Sequence, residues 1–488
     1  MKTRSRFIMT LCLVIASILV FSQLLTMNVD AMGRDKVRPT APQNLAAKDV
    51  TDTSFTLTWT ASTDNVGIAA YYIYKDNVLA GTSTVPSFNV TNLLPDTTYS
   101  FFVKAKDPTG NPSPNSLPLS VTTSPSSTQP PAIHKKIVAY YTSWSAYHDF
   151  TPDKIAATKV THINYAFANI GNNLQIELGD ATIDPQNFIK LNALKKFNPN
   201  LKILISVGGW SWSGKFSDVA SSQTNRDNFA ASCVRFIDQY HLDGVDLDWE
   251  YPVSGGLATN TTRPEDKQNF TLLLQTMRAA LGTDHLLTIA GGANQEYFDN
   301  VELVEIFKSI DFANIMTYDF HGGWDKLTDF NAPLYTDASS PQPIATMSAD
   351  AAVKLWLSLN TGSEAIVIPR DKIVLGIPFY GKKYGAVKNT NASNPGLYSS
   401  YGRCTTVTYK EIMQNYWPNT AYKRYFLNAT QVPWLFNGST FISYDDAQSI
   451  QSKISYIIQN NLGGAMVWEL SQDDGDKLIS VIFDGLKD

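Results

Sequence analysis

The sequence contains very little cysteine and histidine, with three Cys and six His in 488 residues. Cys12 lies in an apolar stretch at the N-terminus, so Cys233 and Cys404 are the two thiols beyond it. Two distant thiols could pair, but they cannot form the framework of a disulfide-stapled protein. No Cys/His cluster has the spacing of metal ligands. We therefore expect neither a metal nor any other cofactor.

The chain is also poor in charge, because 17% of its residues are charged and the formal net charge is −5. An excess of basic residues is missing, so nothing in the composition indicates a nucleic-acid partner. The hydrophobic fraction of 43% is typical of a folded protein with a sizeable core, and the length predicts two or three domains. Aromatic residues reach 12%, which fits either core packing or a surface on which sugar rings stack.

The longest apolar run of the sequence stands at its start. Basic residues among the first six precede a largely apolar stretch, 7–25, which is followed by the small residues Val29 and Ala31. This order is typical of a secretory signal peptide, predicted here over 1–31. An uncleaved membrane anchor is the alternative, although no stop-transfer pattern follows. The sequence thus predicts a secreted, extracellular protein without stable membrane association after cleavage.

Residues 39–123 have short segments of alternating hydrophobic residues between closely spaced turns, such as "SFTLTWTAS" and "AAYYIYKDN". This pattern predicts a small all-β sandwich with Trp59 on its inner face. The segment "NLLPDTTYSFFVKAKD" resembles the tyrosine corner of fibronectin type III domains, with Tyr99 as the corner residue. A stretch rich in Ser, Thr and Pro follows, and it predicts an extended linker over 124–135.

From residue 136 to 488 apolar strands alternate with amphipathic helices, which predicts an α/β fold. Eight such strands favour a (β/α)8 TIM barrel over an open doubly wound sheet, and no dinucleotide-binding glycine pattern supports the latter. About sixty residues rich in Tyr, Asn and Trp precede the last helix, and a loop of that length is improbable. We predict an inserted α+β subdomain over 382–442. The predicted strands are "KIVAYY", "THINYAFA", "KILISVGG", "GVDLDW", "LLTIAGG", "FANIMTYD", "KIVLGIPFYG" and "GGAMVWEL".

The stretch "DGVDLDWEYP", 243–252, sets acids among apolar residues. In a strand Asp246, Asp248 and Glu250 share one face, about 6.6 Å apart per step. In a barrel they line the interior and rise to the C-terminal mouth, where catalytic groups lie. Asp243 has the opposite parity and is predicted to be structural.

Three interpretations of this acid row compete. A solvated charged face does not fit the intervening Val, Leu and Trp. A divalent-metal site is possible, although hard cations favour ligands from several segments and no His supports it. The third interpretation is acid–base chemistry, because neighbouring buried carboxylates share protons and raise the pKa of the outermost acid. We favour the third.

These residues carry a family resemblance over essentially all of 136–488. "DGVDLDWE" resembles the D-x-x-D-x-D-x-E signature of family 18 glycoside hydrolases, and "SVGG", 206–209, resembles their S-x-G-G strand. "MTYD", 316–319, the Trp-bearing last strand and the insertion ending near "FISYDD" match bacterial-type chitinases as well. The resemblance implies a chitinase that hydrolyses β-1,4 bonds between N-acetylglucosamine units. Chitin or chitooligosaccharides are the implied partners, and a monomer is expected.

The resemblance also implies roles for individual residues. Glu250 matches the proton donor, Asp248 the acid that orients the acetamido group, and Asp246 the acid that holds or shares the proton of Asp248. Tyr318 matches the tyrosine that bonds the acetamido oxygen, and Trp468 the tryptophan beneath the reacting sugar. Ser206 is taken as structural. The other positions that match the substrate-binding cleft are Gly208, Gly209, Trp210, Tyr251, Met316, Thr317 and Asp319. Trp144, Trp212 and Trp324 are either further stacking platforms or core residues.

In this family the acetamido oxygen of the substrate replaces the second carboxylate that ordinary retaining glycosidases use as nucleophile. Two other functions compete. A chitin-binding lectin would lack the terminal glutamate, whereas Glu250 is present. An endo-β-N-acetylglucosaminidase acting on N-glycans, or a peptidoglycan hydrolase, is closer. The insertion, which would deepen the cleft for a long polymer, favours chitin, and no LysM-like repeat indicates a wall enzyme.

Overall fold

The computed structural model describes residues 35–124, 135–341, 347–358 and 368–487. These belong to two compact units, Met1–Gln129 and Pro130–Asp488, each with a core of its own. The predicted signal peptide and nearly all of the predicted linker lie outside the described residues. Within those ranges, no helix has both the length and the apolar character needed to cross a membrane.

The N-terminal unit is a sandwich of two antiparallel sheets, which confirms the predicted all-β fold. Trp59 lies in its core and packs edge-on against Tyr71. Tyr99 forms the predicted corner, because its hydroxyl accepts a hydrogen bond from the backbone N–H of Leu94 at 2.8 Å. One sheet has the order β1-β2-β5 and the other β4-β3-β6-β7. The strands are β1 Gln43–Lys48, β2 Phe55–Thr60, β3 Ala70–Lys75, β4 Val78–Ser83, β5 Ser87–Val90, β6 Thr98–Lys106 and β7 Leu119–Thr122.

The second unit contains a closed barrel of eight parallel strands, as the alternation of strands and helices predicts. One further short strand, β10 Ile176–Glu177, is not part of the ring and pairs antiparallel with the barrel strand β9 His162–Ile170. The barrel order is β9-β11-β12-β13-β14-β15-β21-β8, and the pairing of β8 with β9 closes the ring. The barrel strands are β8 Lys136–Thr142, β9 His162–Ile170, β11 Lys202–Gly208, β12 Gly244–Asp248, β13 Leu286–Gly291, β14 Phe312–Ile315, β15 Ile373–Pro378 and β21 Gly464–Trp468.

Helices cover the outside of the barrel with their apolar faces. The last helix before β21 begins with a capping box, in which the side chain of Asp446 accepts from the backbone N–H of Ser449. Ile450, Ile454 and Ile457 then lie on the buried face of that helix. The described helices of this layer are Asp184–Ala193, Phe216–Ala220, Gln223–Tyr240, Asp266–Leu281, Gln295–Asp299, Leu303–Ile306, Ala349–Leu357, Ala447–Gln459 and Lys477–Leu486.

The residues between β15 and the helix Ala447–Gln459 form a small five-stranded antiparallel sheet. Its order is β17-β16-β20-β19-β18, and a helical segment over Tyr409–Tyr416 follows β17. Tyr384, Trp434 and Phe441 belong to a separate apolar core of this region. Its strands are β16 Tyr380–Gly385, β17 Arg403–Thr408, β18 Lys423–Leu427, β19 Val432–Phe436 and β20 Phe441–Ser443. Cys233 and Cys404 are both free thiols.

Candidate active site

The acid row lies on β12 and just beyond its end. Val245, Leu247 and Trp249 point to the helical layer and are buried in its core, where the Trp249 ring stacks on Phe216. The alternation of a strand therefore turns Asp246, Asp248 and Glu250 toward the barrel interior. All three are buried, with exposed fractions of 0%, 3% and 9% from the lowest to the outermost acid.

Asp246 is the lowest acid and is held by four side-chain hydrogen bonds. Its Oδ1 accepts from Thr288 Oγ1 at 2.5 Å and from Asn314 Nδ2 at 3.4 Å. Its Oδ2 accepts from Tyr140 Oη at 2.7 Å and from Ser206 Oγ at 2.8 Å. Burial raises the pKa of this carboxyl, whereas the hydrogen bonds lower it, and burial prevails.

Asp248 is the most perturbed member of the row. Burial raises its pKa far above the usual value, and the negative charges of Glu250 and Asp246 raise it further. Its Oδ1 is buried and accepts no hydrogen bond from the described residues. A buried carboxyl between two acids is stabilised by keeping its proton, so Asp248 is the protonated member when its neighbours ionise.

Glu250 follows the strand at the mouth of the barrel. Its backbone N–H donates to Ser213 Oγ at 2.9 Å, and its carbonyl accepts from Asn260 Nδ2 at 3.0 Å. Burial raises the pKa of its carboxyl to about 7. The negative charge of Asp319 adds to this shift, and a hydrogen bond from Tyr251 opposes it. A carboxyl that titrates near neutral pH can both donate and accept a proton during one reaction.

A cavity of about 670 Å³ opens above these acids at the C-terminal ends of the barrel strands. Asp248 and Glu250 form part of its floor, and aromatic rings form much of its wall. Trp468 stacks on Phe167 with ring centroids 5.6 Å apart, and Trp210 is 51% exposed at the rim. Such an aromatic and partly open cleft suits stacking of sugar rings.

Comparison with known families agrees with this geometry. The model described as glycosyl hydrolases family 18 matches residues 136–473, and that of the fibronectin type III domain matches residues 40–122. The chain belongs to glycosyl hydrolases family 18. It is a glycoside hydrolase in which a fibronectin type III domain precedes the catalytic barrel, and both predicted resemblances are confirmed.

Three relatives illustrate the family. Chitinase A1 of Niallia circulans is 42% identical over 401 residues, which cover 69% of this chain and 56% of that protein. This chain therefore spans little more than half the length of that relative. A solved family 18 N-acetylglucosaminidase from Paenibacillus barengoltzii is 38% identical, with a TM-score of 0.64 and coverage of 72% and 100% of the two chains. Ostrinia furnacalis Group IV chitinase in complex with allosamidin is 30% identical, with a TM-score of 0.65 and coverage of 71% and 97%.

The cavity of this family 18 barrel brings together most of the residues predicted from the sequence. The three tryptophans that could have been core residues also line it, and Trp144 and Trp324 are exposed by 44% and 63%. The predicted residues in the cavity wall are Gly208, Trp210, Asp248, Glu250, Tyr251, Met316, Tyr318, Asp319 and Trp468, with Trp144, Trp212 and Trp324.

Other predicted residues lie outside the wall. Thr317 was predicted to bind substrate, but its side chain is fully buried and its hydroxyl donates to the Gly376 carbonyl at 2.7 Å. Gly209 lies behind the wall, where a Cβ atom would stand 2.6 Å from the Phe167 ring, so the glycine lets that ring reach its position. Asp243 forms an ion pair with Lys195 at 2.7 Å, away from the cavity.

Several wall residues were missed by sequence reasoning. Tyr140, Phe167 and Tyr380 line the cavity, and Tyr140 also donates to Asp246. Strand alternation could have identified Tyr140, because Val138 and Tyr140 share the inward face of β8. Lys382 was missed as well. Its Nζ lies 2.6 Å from Asp319 Oδ1 and 5.3 Å from the centre of the Trp324 ring.

Proposed function

We propose that this family 18 hydrolase is a chitinase that cleaves β-1,4 bonds between N-acetylglucosamine units with retention of configuration. The observation that carries the proposal is the acid pair at the cavity floor. Glu250 has a pKa of about 7, and burial, with the charges of its acidic neighbours, raises the pKa of Asp248, directly below it, well above the usual value. Similarity to Chitinase A1 supports the choice of chitin as the polymer.

In the proposed reaction, Glu250 donates its proton to the glycosidic oxygen as the bond to C1 breaks. The acetamido oxygen of the same sugar attacks C1 and gives a cyclic oxazolinium ion. The Glu250 carboxylate then accepts a proton from water, whose oxygen attacks C1 and reopens the ring. Asp248 orients the acetamido group by hydrogen bonding, and Tyr318 donates to the acetamido oxygen. Asp246, which lies below Asp248, holds or shares the proton of Asp248.

The acids near the cavity support a mechanism in which the acetamido group of the substrate, rather than a carboxylate of the enzyme, is the nucleophile. A retaining enzyme with a carboxylate nucleophile needs an ionised acid about 5 Å from the proton donor. Asp248 is unsuited because burial and its acidic neighbours raise its pKa and so disfavour the ionised form, and Asp246 lies below the cavity with no exposed surface. Asp319 Oδ1 is bound to Lys382 at 2.6 Å. No other Asp or Glu lines the cavity in the described part of the chain.

The aromatic wall supports a polymeric substrate. Trp468 would lie under the reacting sugar, and Trp210, Trp144 and Trp324 offer further faces on which pyranose rings can stack. Tyr251, Met316 and the backbone at Gly208 would complete the subsite, together with Asp319. A cleft lined by five tryptophans suits several sugar units better than one.

The proposal extends to the organisation of the protein. The chain would be secreted after loss of residues 1–31 and would act outside the cell as a monomer. The fibronectin type III domain over 39–123 and the linker 124–135 would precede a catalytic barrel over 136–488, with the inserted subdomain at 382–442. No membrane partner or nucleic acid takes part in this proposal.

The test compares products from three substrates by mass spectrometry: chitin oligomers, an N-glycosylated protein and peptidoglycan. We expect short acetylated oligomers from chitin and no release from the other two. Glu250→Gln serves as the control, because it keeps the size of the side chain and removes the transferable proton. Release of glycans from the glycoprotein, or monomer as the sole product of chitin, would contradict the proposed chitinase activity.

A further inference from the structure

Two loops at the mouth of the barrel form hydrogen bonds with the backbone of Glu250. Ser213, in the loop after β11, accepts from the Glu250 N–H at 2.9 Å. Asn260, in the loop after β12, donates from its Nδ2 to the Glu250 carbonyl at 3.0 Å. The two loops also bond each other, because the Thr261 N–H donates to the Gly214 carbonyl at 3.2 Å. We call Ser213 and Asn260 the Glu250 clamp.

The hydroxyl of Ser213 bonds the backbones of both acids at the cavity floor. Besides accepting from the Glu250 N–H, Ser213 Oγ lies 2.8 Å from the Gly209 carbonyl and 3.1 Å from the Asp248 carbonyl. Its single hydrogen donates to one of these carbonyls or is shared between them. Ser213 is fully buried, so bulk water does not compete for these bonds. One side chain therefore ties the peptide group of Glu250 to the turn after β11.

The hydrogen-bond ladder of the barrel sheet does not extend to Glu250. The strand β12 ends at Asp248, where its pairing with β11 also ends. Within the described ranges, the Glu250 N–H and carbonyl have no hydrogen bond to any other backbone group. An unpaired buried backbone group costs free energy comparable to a lost hydrogen bond. The Glu250 clamp thus supplies the hydrogen bonds that the sheet does not.

The loop after β12 packs closely against the Glu250 carbonyl. At Gly256 a Cβ atom would stand 2.1 Å from the Glu250 carbonyl oxygen and 2.9 Å from Asn260 Nδ2. The φ angle of Gly256 is also +70°, a conformation that residues with a side chain rarely adopt. Glycine at this position lets the loop pass directly beside the carbonyl that Asn260 bonds. The Glu250 carbonyl therefore has little room to move.

We propose that Ser213 and Asn260 are positioning residues that hold the Glu250 carboxyl in place for proton transfer. This inference rests on the proposed function, in which Glu250 is the proton donor. A proton donor must lie within hydrogen-bond reach of the atom that it protonates, and a misplacement of about 1 Å can cost about 10²-fold in rate. Neither residue of the Glu250 clamp lines the cavity. Loss of the clamp should therefore lower kcat and leave oligomer binding unchanged.

The first experiment measures kcat of Ser213→Ala on a short chitin oligomer. Alanine leaves the Glu250 N–H buried without its acceptor, so we expect kcat to fall by about ten- to 100-fold. Oligomer binding is measured by titration calorimetry in chains that also carry Glu250→Gln, which prevents turnover. In that background Ser213→Ala should leave the Kd unchanged. A normal kcat, or a Kd that weakens as much as kcat falls, would overturn the proposal.

Ser217→Ala is the matched control for the loss of a buried hydroxyl. Ser217 is also fully buried, and its Oγ bonds Asp266 at 2.7 Å and Arg263 at 2.6 Å, neither of which lines the cavity. Both Ser213→Ala and Ser217→Ala should lower the unfolding temperature of the barrel. Only Ser213→Ala should lower kcat when both are assayed well below melting. Equal losses of kcat in the two variants would indicate general destabilisation and contradict a positioning role.

Asn260→Leu tests the second half of the Glu250 clamp and provides a variant if Ser213→Ala fails to fold. Asn260 is only partly buried, and leucine has a similar size but no donor for the Glu250 carbonyl. We expect kcat to fall, again without weaker binding. If Glu250→Gln keeps its turnover, the proposed function fails. An inactive Glu250→Gln beside fully active Ser213→Ala and Asn260→Leu would instead refute the positioning role alone.

Discussion

If Glu250 is the proton donor, as proposed, its titration should set the alkaline limit of the activity. Its carboxyl, with a pKa of about 7, could act as the acid only while it carries its proton. One pH unit above that value about 10% of the molecules remain protonated, so kcat/KM should fall about tenfold per further pH unit. On the acid side the limit would come from the remaining members of the row.

Substitution of either partner of the Asp319–Lys382 ion pair should shift the pH of this alkaline limit, and the two substitutions should shift it in opposite directions. The negative charge of Asp319 raises the pKa of Glu250, so Asp319→Asn should lower that pKa and move the alkaline limb to lower pH. Lys382→Met removes the cation that lies 2.6 Å from Asp319 and should move the limb to higher pH. Each shift should stay below about one unit, because burial is the larger cause and each charge in the pair screens the other.

The assay follows hydrolysis of a short chitin oligomer under kcat/KM conditions between about pH 5 and 9, a range that spans both limbs of a bell-shaped profile. Lys383→Met is the matched control. The Lys383 Nζ donates to Tyr416 Oη at 2.9 Å, in the helical segment after β17, so its loss should not move the limb. If the limb moves in the same direction in both variants of the ion pair, or in neither, Glu250 is not the group that sets it.

Three further predictions concern the proposed reaction. Glu250→Gln should fold normally, as judged by its unfolding temperature, and lose about 10²–10⁴-fold in kcat, because an amide cannot donate the proton; near-normal turnover would assign the acid role elsewhere. Asp248→Asn should lower kcat far more than it weakens oligomer binding in titration calorimetry, and the reverse pattern would make Asp248 a binding residue only. Partly deacetylated chitosan should yield products whose new reducing ends are N-acetylglucosamine, because the acetamido group attacks; sequencing that finds frequent glucosamine there would contradict this mechanism.

The acid row and the barrel could be predicted because both depend on local periodicity. Alternation along β12 is enough to separate Asp246, Asp248 and Glu250 from Val245 and Leu247. Barrel strands are buried on both faces, so each of them is a nearly continuous run of apolar residues in the sequence, and eight such runs occur.

Other features depend on contacts between distant segments, and sequence periodicity carries no information about them. Thr317 was assigned to the cleft by the family resemblance, whereas its hydroxyl donates to the backbone carbonyl of Gly376. Lys382 reaches Asp319 from an element 63 positions later in the chain.

The hydrogen bonds to Asp246 link a residue of the proposed active site to several strands of the barrel. Their donors Tyr140, Ser206, Thr288 and Asn314 stand on β8, β11, β13 and β14, so five of the eight barrel strands meet at one carboxylate. Many enzymes lose activity on heating before they unfold, because their reactive groups sit on loops that loosen first. Here Asp246, which is proposed to hold or share the proton of Asp248, is hydrogen-bonded to four other strands of the barrel. Heat inactivation should therefore coincide with global melting, and selection for a more thermostable barrel would preserve the catalytic centre at the same time.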